Sequence, residues 1–342
     1  MQDSLIEIVK RGYTIKSNIT GTNSQNGLCS KKGENYFYKV ASCEAISQEL
    51  FGYDLFEKYN KVPKIIEIIE DKKNCISIII FERIVSINFN QGLVCDLLNS
   101  PKKINVTEIM HPFSAYFECF QYKGSTKDNY QYKKFFKDRV GRLRTNFIEI
   151  DSNQALVIKN TKQFIKNFIP KRTGNLSHGD PSDMNFCSNG MFLDFEETNF
   201  NDLRVDFAII FWSLFLGGAY LFPKYEIQKY VHHKRVYQNQ IIKNKFGMIE
   251  AILVRKQRIE LIDCIVDKFK ENLILYKYKN LENSIFYLLV FRMFSVIEFS
   301  FLDKDDRIFL TSILKELIIK LEESHDIFIT LKQINHSFFR SE

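Results

Sequence analysis

The spacing of apolar residues changes period near residue 85, and that change limits what the chain can fold into. Between about residues 10 and 85 the apolar residues fall in short β-branched and aromatic runs. These are YTIKSNIT, LCSKKGENYFYKVA, KIIEIIE and NCISIIIFE, set apart by polar or glycine-containing turns, the signature of strands. One helix interrupts them, CEAISQELFGYDLFEKY (43–59), with Ile46, Leu50, Tyr53 and Phe56 at steps of three and four. Beyond about residue 104 the period is helical, over 153–169, 203–220, 248–275, 283–300 and 305–322. The exception is a pair of short runs, MNFCS and MFLDF, flanking Ser188-Asn189-Gly190. Asn-Gly favours a two-residue type I′ hairpin turn. The expected fold class is α+β and bilobal. A small β-rich N-terminal lobe with one helix would span 1–86, and a large α-helical lobe carrying one polar hairpin 87–342.

Bulk properties exclude several functions. The chain of 342 residues has 45% apolar and 26% charged side chains, as an ordinary folded protein does. Its formal charge of +7 is spread out, with the densest cluster at 122–147, YKGSTKDNYQYKKFFKDRVGRLRTNF. A nucleic-acid binder would concentrate more charge and offer a recognisable module, so no nucleic-acid partner is expected. A basic cleft also suits a phosphorylated ligand. The seven cysteines include no CxxC pair, and no histidine stands at zinc-ligand spacing. That is the pattern of reduced thiols in a cytoplasmic protein. The start MQDSLIEIVKRG does not read as a signal peptide. FAIIFWSLFLGGAYLF (207–222) is short for a membrane span and reads as a buried helix.

The chemistry concentrates in LSHGDPSDMNFCSNGMFLDFEE (176–197). Asp180 precedes Asn185 by five residues, and Asp194 ends the second run of the hairpin. A tight hairpin sets the start of one strand beside the end of the other, so Asn185 and Asp194 are expected to face one another. They would offer hard oxygen ligands to Mg²⁺, and Asp180 would orient or deprotonate a hydroxyl. Taken singly, Asp and Asn form turns and His178 fills a core. Taken together they are the parts phosphoryl transfer needs.

HGDPSDMN, then LDFEE, then VDFA resembles the catalytic core of the aminoglycoside phosphotransferase and choline kinase group. His178, Gly179, Asp180 and Asn185 match its first element. Asp194, Phe195 and Glu196 match the second, and Asp206, Phe207 and Ala208 the third. The match covers residues 176–208. The resemblance implies a protein-kinase-like fold using ATP and Mg²⁺ to phosphorylate a hydroxyl of a small molecule. Asp180 would be the base, Asn185 and Asp194 the metal ligands, and His178 and Asp206 braces of the catalytic loop. Such a fold also needs a strand lysine for the α- and β-phosphates and a helix glutamate to hold it. NYFYKVA supplies Lys39, and Glu49 follows on the helix. Glu44 is the alternative, but it lies at the helix start, where an acid serves the dipole. IIIFERI (78–84) would end at the hinge, with backbone near Glu82 to Ile84 meeting adenine. GTNSQNG (21–27), with Thr22, Asn23 and Ser24, would cover the phosphates through its amides, although it is not GxGxxG.

Three departures stand out. Pro181-Ser182 follow the HGD triplet where the group commonly has Leu-His. The step from Asn185 to Asp194 is about four residues shorter than usual for such folds, an even deletion that keeps the alternation of faces. Polycationic aminoglycosides want an acid-rich cleft, and Glu196, Glu197 and Asp202 are few. Sugars, amino alcohols and glycan precursors all remain acceptors consistent with the sequence. Two other readings are a non-catalytic pseudokinase module and a kinase of protein acceptors. The early helix after Asp194 leaves little room for an activation segment and favours a small acceptor. Nothing in the sequence indicates an oligomeric state.

Overall fold

A computed structural model describes residues 2–20, 24–59, 62–71, 74–83, 93–98, 105–125, 136, 139–143, 150–168, 173–182, 185–215, 241–243, 249–254, 256–275, 277–278, 280–296, 302 and 304–341. The protein is bilobal and α+β. Its first lobe runs α1 (Gln2–Lys10), β1 (Thr14–Thr20), β2 (Gln25–Lys31), β3 (Glu34–Ser42), α2 (Cys43–Glu57), β4 (Ile65–Asp71) and β5 (Ile76–Glu82). The strands form one antiparallel sheet in the order β1-β2-β3-β5-β4. The run expected over 28–41 is two strands. Lys32 and Gly33, at φ 53° and 84°, make a two-residue turn with both positions left-handed, the backbone a twisted hairpin favours.

Strand alternation decides what each face of this sheet carries. Tyr38, Val40, Ile78 and Ile80 point to one side and pack with Ile8 of α1, Tyr13, Cys29 and Ile69. Ala41, Ile79 and Phe81 point to the other side, into the main core with Ile46, Tyr53 and Phe56 of α2. Lys39 lies between Tyr38 and Val40, so alternation sends it to the α2 side. Helix α2 begins where the Ser42 hydroxyl accepts from Ala45 N at 3.2 Å. Such a cap stabilises by about 1 kcal/mol. Its buried stripe is Ile46, Glu49, Gly52, Tyr53 and Phe56, an apolar face broken by one carboxylate and one glycine. The strand pattern read from residue 10 onward does not reach α1, four of whose nine residues, Leu5, Ile6, Ile8 and Val9, are apolar. Ile8 is buried, while Ile6 and Val9 stay exposed.

The second lobe holds α3 (Val94–Leu98), α4 (Val106–Cys119), α5 (Ser152–Asn167), α6 (Leu203–Phe215), α7 (Lys256–Leu275), α8 (Leu281–Ser295), α9 (Lys304–Ser324) and α10 (Ile327–Phe338). In α6, residues 207–212 and Leu214 are almost wholly buried, as expected of a core helix. Residues 216–222 lie outside the described residues. No described helix is long and apolar enough to cross a membrane.

Two expectations for this lobe are corrected. The stretch 248–275 is not one helix, because Ile249–Val254 is strand β10, with α7 starting at Lys256. A short apolar run such as IEAILV fits either element by periodicity. Its pairing with β9 (Ile241–Lys243) and β11 (Phe339–Ser341) decides, and one partner lies at the far end of the chain. Nor is the hairpin the lobe's only β structure. β6 (Lys123–Ser125), β7 (Thr173–Ser177) and β8 (Asn199–Asn201) form a small antiparallel sheet. β7 leads directly into His178 and Asp180, and β8 follows Asp194, so this sheet fixes both ends of the polar segment.

Candidate active site

Lys39 is the point where the lobes meet electrostatically. Its Nζ lies 2.6 Å from Glu49 Oε2 and 2.5 Å from Asp194 Oδ1, with Glu196 Oε2 at 3.8 Å. Burial alone would lower the Lys39 pKa, but Asp194, Glu49 and Glu196 outweigh it and raise it above its ordinary value. Burial pushes the Glu49 carboxyl up, and Lys39 opposes that. The other oxygen of Glu49 accepts from Phe195 N at 3.0 Å. Of the two candidate acids on α2, Glu44 and Glu49, it is Glu49 that faces the lysine, because it sits on the buried stripe.

Gly52, one turn further along α2, lets the helix come this close. A Cβ there would stand 2.0 Å from Phe195 O. Tyr53 and Phe56 pack on the Phe195 ring at 5.7 and 5.9 Å between centroids. The helix is thus fastened to the Asp194-Phe195 step through both backbone and side chain.

The loop after β7 is built on two buried polar residues. His178 is fully buried among the rings of Phe56, Phe186, Phe192 and Phe195. Burial lowers its pKa, so it is a neutral imidazole, and Nε2 donates to Leu193 O at 2.7 Å. His178 O accepts from Thr198 Oγ1 at 3.1 Å. Asp206, also fully buried, accepts from Tyr116, from Ser177 Oγ at 2.6 Å and from Gly179 N at 3.5 Å. Burial pushes its carboxyl up to about 6, against the hydrogen bonds from Ser177 and Tyr116. Gly179 is left-handed at φ 83°, and a Cβ there would stand 2.0 Å from Glu197 O. His178 and Asp206 therefore hold the loop from within. Asp180 projects outward with its side chain 41% exposed, and Arg292 Nη2 lies 3.3 Å from its Oδ1.

The hairpin differs from the two-residue type I′ turn expected. Cys187 N donates to Met191 O and Gly190 N to Cys187 O, both at 2.9 Å. The loop is Ser188-Asn189-Gly190, with Gly190 left-handed at φ 82° and Asn189 not. Phe186 pairs with Phe192, and Leu193 N donates to Asn185 O at 2.9 Å. Asn185 is therefore opposite Leu193, and Asp194 stands one residue beyond. In an unbroken ladder Asp194 would point away from the Asn185 face. Asp194 instead adopts φ 63°, an uncommon backbone for a non-glycine residue, and its carboxylate meets Lys39. Asn185 Nδ2 donates to Asp180 O at 2.9 Å, tying the hairpin to the loop.

The carboxylates of Glu49, Asp194 and Glu196 have ligand oxygens within 4.8 Å of one another. Burial, then Asp194, pushes the Glu196 carboxyl up to about 7. Three carboxylates face one ammonium here, and the two least buried can turn to solvent. Hard oxygens with excess negative charge fit Mg²⁺. Glu196 entered the sequence reading as the third residue of the Asp194-Phe195-Glu196 match and as a cleft acid, not as a member of a carboxylate cluster around Lys39.

The remaining expected residues are less informative. Ser24 immediately precedes β2, while Thr22 and Asn23 lie outside the described residues, as does Ile84. Glu82 ends β5, where its N–H donates to Lys64 O at 2.9 Å and its carboxylate accepts from Lys64 N at 2.8 Å. That N–H is spent within the sheet. Sequence reasoning missed Gly52, Tyr116, Ser177 and Arg292. None belongs to a motif, and only Ser177, next to His178, had a positional signal.

Element order, the Lys39–Glu49–Asp194 contacts across the lobes and the braced HGD loop define a bilobal protein-kinase-like fold. No protein-family model matches the chain, and no curated protein matches it. Among solved structures it is similar to aminoglycoside phosphotransferase APH(4)-Ia, at 13% identity and TM-score 0.46, over 98% of this chain and 99% of that one. It is also similar to an aminoglycoside-3'-phosphotransferase of type VIII, at 12% identity and TM-score 0.45, over 79% and 98%. A third is APH(3'')-Id from Streptomyces rimosus, at 10% identity and TM-score 0.42, over 78% and 98%. Overlaps this loose carry no weight on function, which has to be argued from the residues.

Proposed function

We propose that this protein is an ATP- and Mg²⁺-dependent phosphotransferase that phosphorylates a hydroxyl of a small molecule. The observation that supports it most is the contact of Lys39 with Glu49 in one lobe and Asp194 in the other. It joins the two halves of a phosphate-binding machine beside an exposed Asp180. In this reading the nucleotide sits between a lobe of residues 1–86 and one of 87–342. Lys39 binds the α- and β-phosphates and Glu49 holds it in place. The loop around Thr22, Asn23 and Ser24 covers the phosphates, and the chain near Glu82 and Ile84 meets the base. Asp194, with Asn185 or Glu196, would hold Mg²⁺, which neutralises charge on the transferring phosphate. Asp180 accepts or orients the proton of the attacking hydroxyl.

A small acceptor suits the geometry. Between Asp194 and α6 the chain spans only 195–202, and Phe195, Thr198, Asn199, Asn201 and Asp202 are buried. Residues 199–201 are committed to a sheet. This segment offers no platform for a polypeptide. Cys29, Cys43, Cys187 and Cys264 are thiols outside any disulfide, which suits the cytoplasm.

Mg-ATP binding should be measured first, then turnover against a panel of hydroxylated metabolites. Asp180→Asn should keep nucleotide affinity and lose turnover by about 10²–10⁴-fold, the usual contribution of a general base. A wild-type protein that binds no Mg-ATP would sink the reading. Retained turnover in Asp194→Ala would sink the metal assignment alone.

A further inference from the structure

Beside Lys39 the sheet carries an asparagine that the fold does not need. Asn26 of β2 is the cross-strand partner of Lys39 in β3. Opposed residues of an antiparallel pair point to the same face, with Cβ atoms about 5 Å apart. The two side chains therefore leave the sheet together on its α2 side, where Lys39 meets Glu49 and Asp194. The neighbouring residues agree with this face. Cys29, three positions along β2, packs with Ile8 and Tyr13 on the opposite side.

The placement is rigid. β2 pairs with β3 in one unbroken register from Gln25↔Val40 to Lys31↔Glu34, and with β1 from Ser17↔Leu28 to Thr20↔Gln25. Asn26 thus sits inside a sheet, at neither an edge nor a turn, where asparagine is depleted. It is half-buried, and its Oδ1 is buried with no hydrogen-bond partner. Buried polar atoms are normally paired, and an unpaired one destabilises the protein that carries it. A residue that breaks local rules with no compensation inside the fold marks a functional position. The unpaired oxygen also leaves the amide free to turn. No bond to Oδ1 opposes a half-turn about χ2, a broad twofold torsion that exchanges the acceptor for the Nδ2 donor.

We propose that Asn26 is a second phosphate-binding side chain of the nucleotide site, donating from Nδ2 to an oxygen of the phosphates that Lys39 binds. This rests on the phosphotransferase reading and adds to it a contact from β2. Register favours the phosphates over the base. The chain that meets the base follows Glu82, which pairs with Tyr36, three residues and about 10 Å along β3 from Lys39.

The test compares wild type with Asn26→Leu, which keeps the size and removes the amide, and Asn26→Asp, which keeps the shape and has no donor at neutral pH. The measurements are the ligand-free melting temperature and the affinities for AMP-PNP with Mg²⁺ and for adenosine. Asn26→Leu should melt at or above the wild-type temperature, because an unpaired buried oxygen is gone. Its affinity for AMP-PNP should fall at least about tenfold, the order of one hydrogen bond to a charged group. Asn26→Asp should bind AMP-PNP more weakly still, since a carboxylate repels the phosphates. Adenosine affinity should be unchanged in both. AMP-PNP affinity unchanged in Asn26→Leu, whatever its melting temperature, would make the residue structural and overturn the proposal. Wild-type affinity in Asn26→Asp would overturn it too, since the residue would then be an acceptor. An equal loss for adenosine would move Asn26 to the nucleoside and do the same. A wild type that binds no AMP-PNP would instead refute the phosphotransferase reading.

Discussion

Replacing Lys39 by Met should cost far more stability than replacing its partner Glu49 by Gln. In Lys39→Met, Glu49 remains 2% exposed and faces Asp194 and Glu196 within 4.8 Å with their shared cation gone. Breaking a buried pair in this way costs about 3–5 kcal/mol, because it strands an uncompensated charge. Glu49 can escape part of that by taking a proton, and the Asp194 share is discounted because its side chain is 40% exposed, so the lower end, about 3 kcal/mol, is expected. In Glu49→Gln, Lys39 keeps Asp194 at 2.5 Å, and the amide oxygen can still accept from Phe195 N. The loss is then about 1 kcal/mol, that of one hydrogen bond. The double variant should be more stable than Lys39→Met alone, since removing Glu49's charge relieves the repulsion that Lys39 had balanced. Urea unfolding of wild type, both single variants and the double closes the cycle. Millimolar Mg²⁺ should raise the midpoint of Lys39→Met more than that of wild type. Equal costs for the two single variants, or strict additivity in the double, would refute this account of the cluster.

Gly52→Ala should lower both thermal stability and nucleotide affinity, because its Cβ would stand 2.0 Å from Phe195 O and force α2 outward. A cost of about 1–3 kcal/mol is expected for such overpacking, and a crystal structure or Tm unchanged from wild type would contradict it. Gly179→Ala should be worse, since it adds a left-handed φ of 83° to a 2.0 Å clash with Glu197 O. It should express poorly or melt below Gly52→Ala. Asp206 predicts a pH dependence. Its folded pKa is raised from 3.8 to about 6, so its contribution is fully present below pH 3.8 and is lost as pH rises through about 6. The shift is worth about 3 kcal/mol at 1.36 per unit. Asp206→Asn mimics the protonated form, so its stability relative to wild type should improve by about that much between pH 3.5 and pH 7. Unfolding curves at the two pH values that shift in parallel would count against this.

The polar motif was the most legible part of the chain. HGD, Asn185, Asp194 and Asp206 could be picked out because their spacing is local, and the strand-then-helix texture gave the two lobes. Lys39 and Glu49 could be proposed because the resemblance asks for a strand lysine and an acid on the helix that follows, and the strand and helix textures show where to look for them. Boundaries suffered where the deciding partner was remote. IEAILV became a strand only through pairing with β9 and β11. The Asn-Gly turn took a three-residue form, while Lys32-Gly33, not picked out as a turn, made the two-residue one.

The sequence by itself determined which residues could do phosphoryl-transfer chemistry, since residue type and near-neighbour spacing are properties of the chain. Only the tertiary structure decided which of them meet. Asp194 reaches Lys39 through a left-handed bend, Glu196 joins the cluster because of that bend, and Gly52 allows α2 to sit against Phe195. Arg292 reaches Asp180 across more than a hundred residues of intervening chain. Such contacts have no period and no local propensity. They exist because burying aromatic rings between the lobes brings these backbones together, and the polar groups carried in must then satisfy one another.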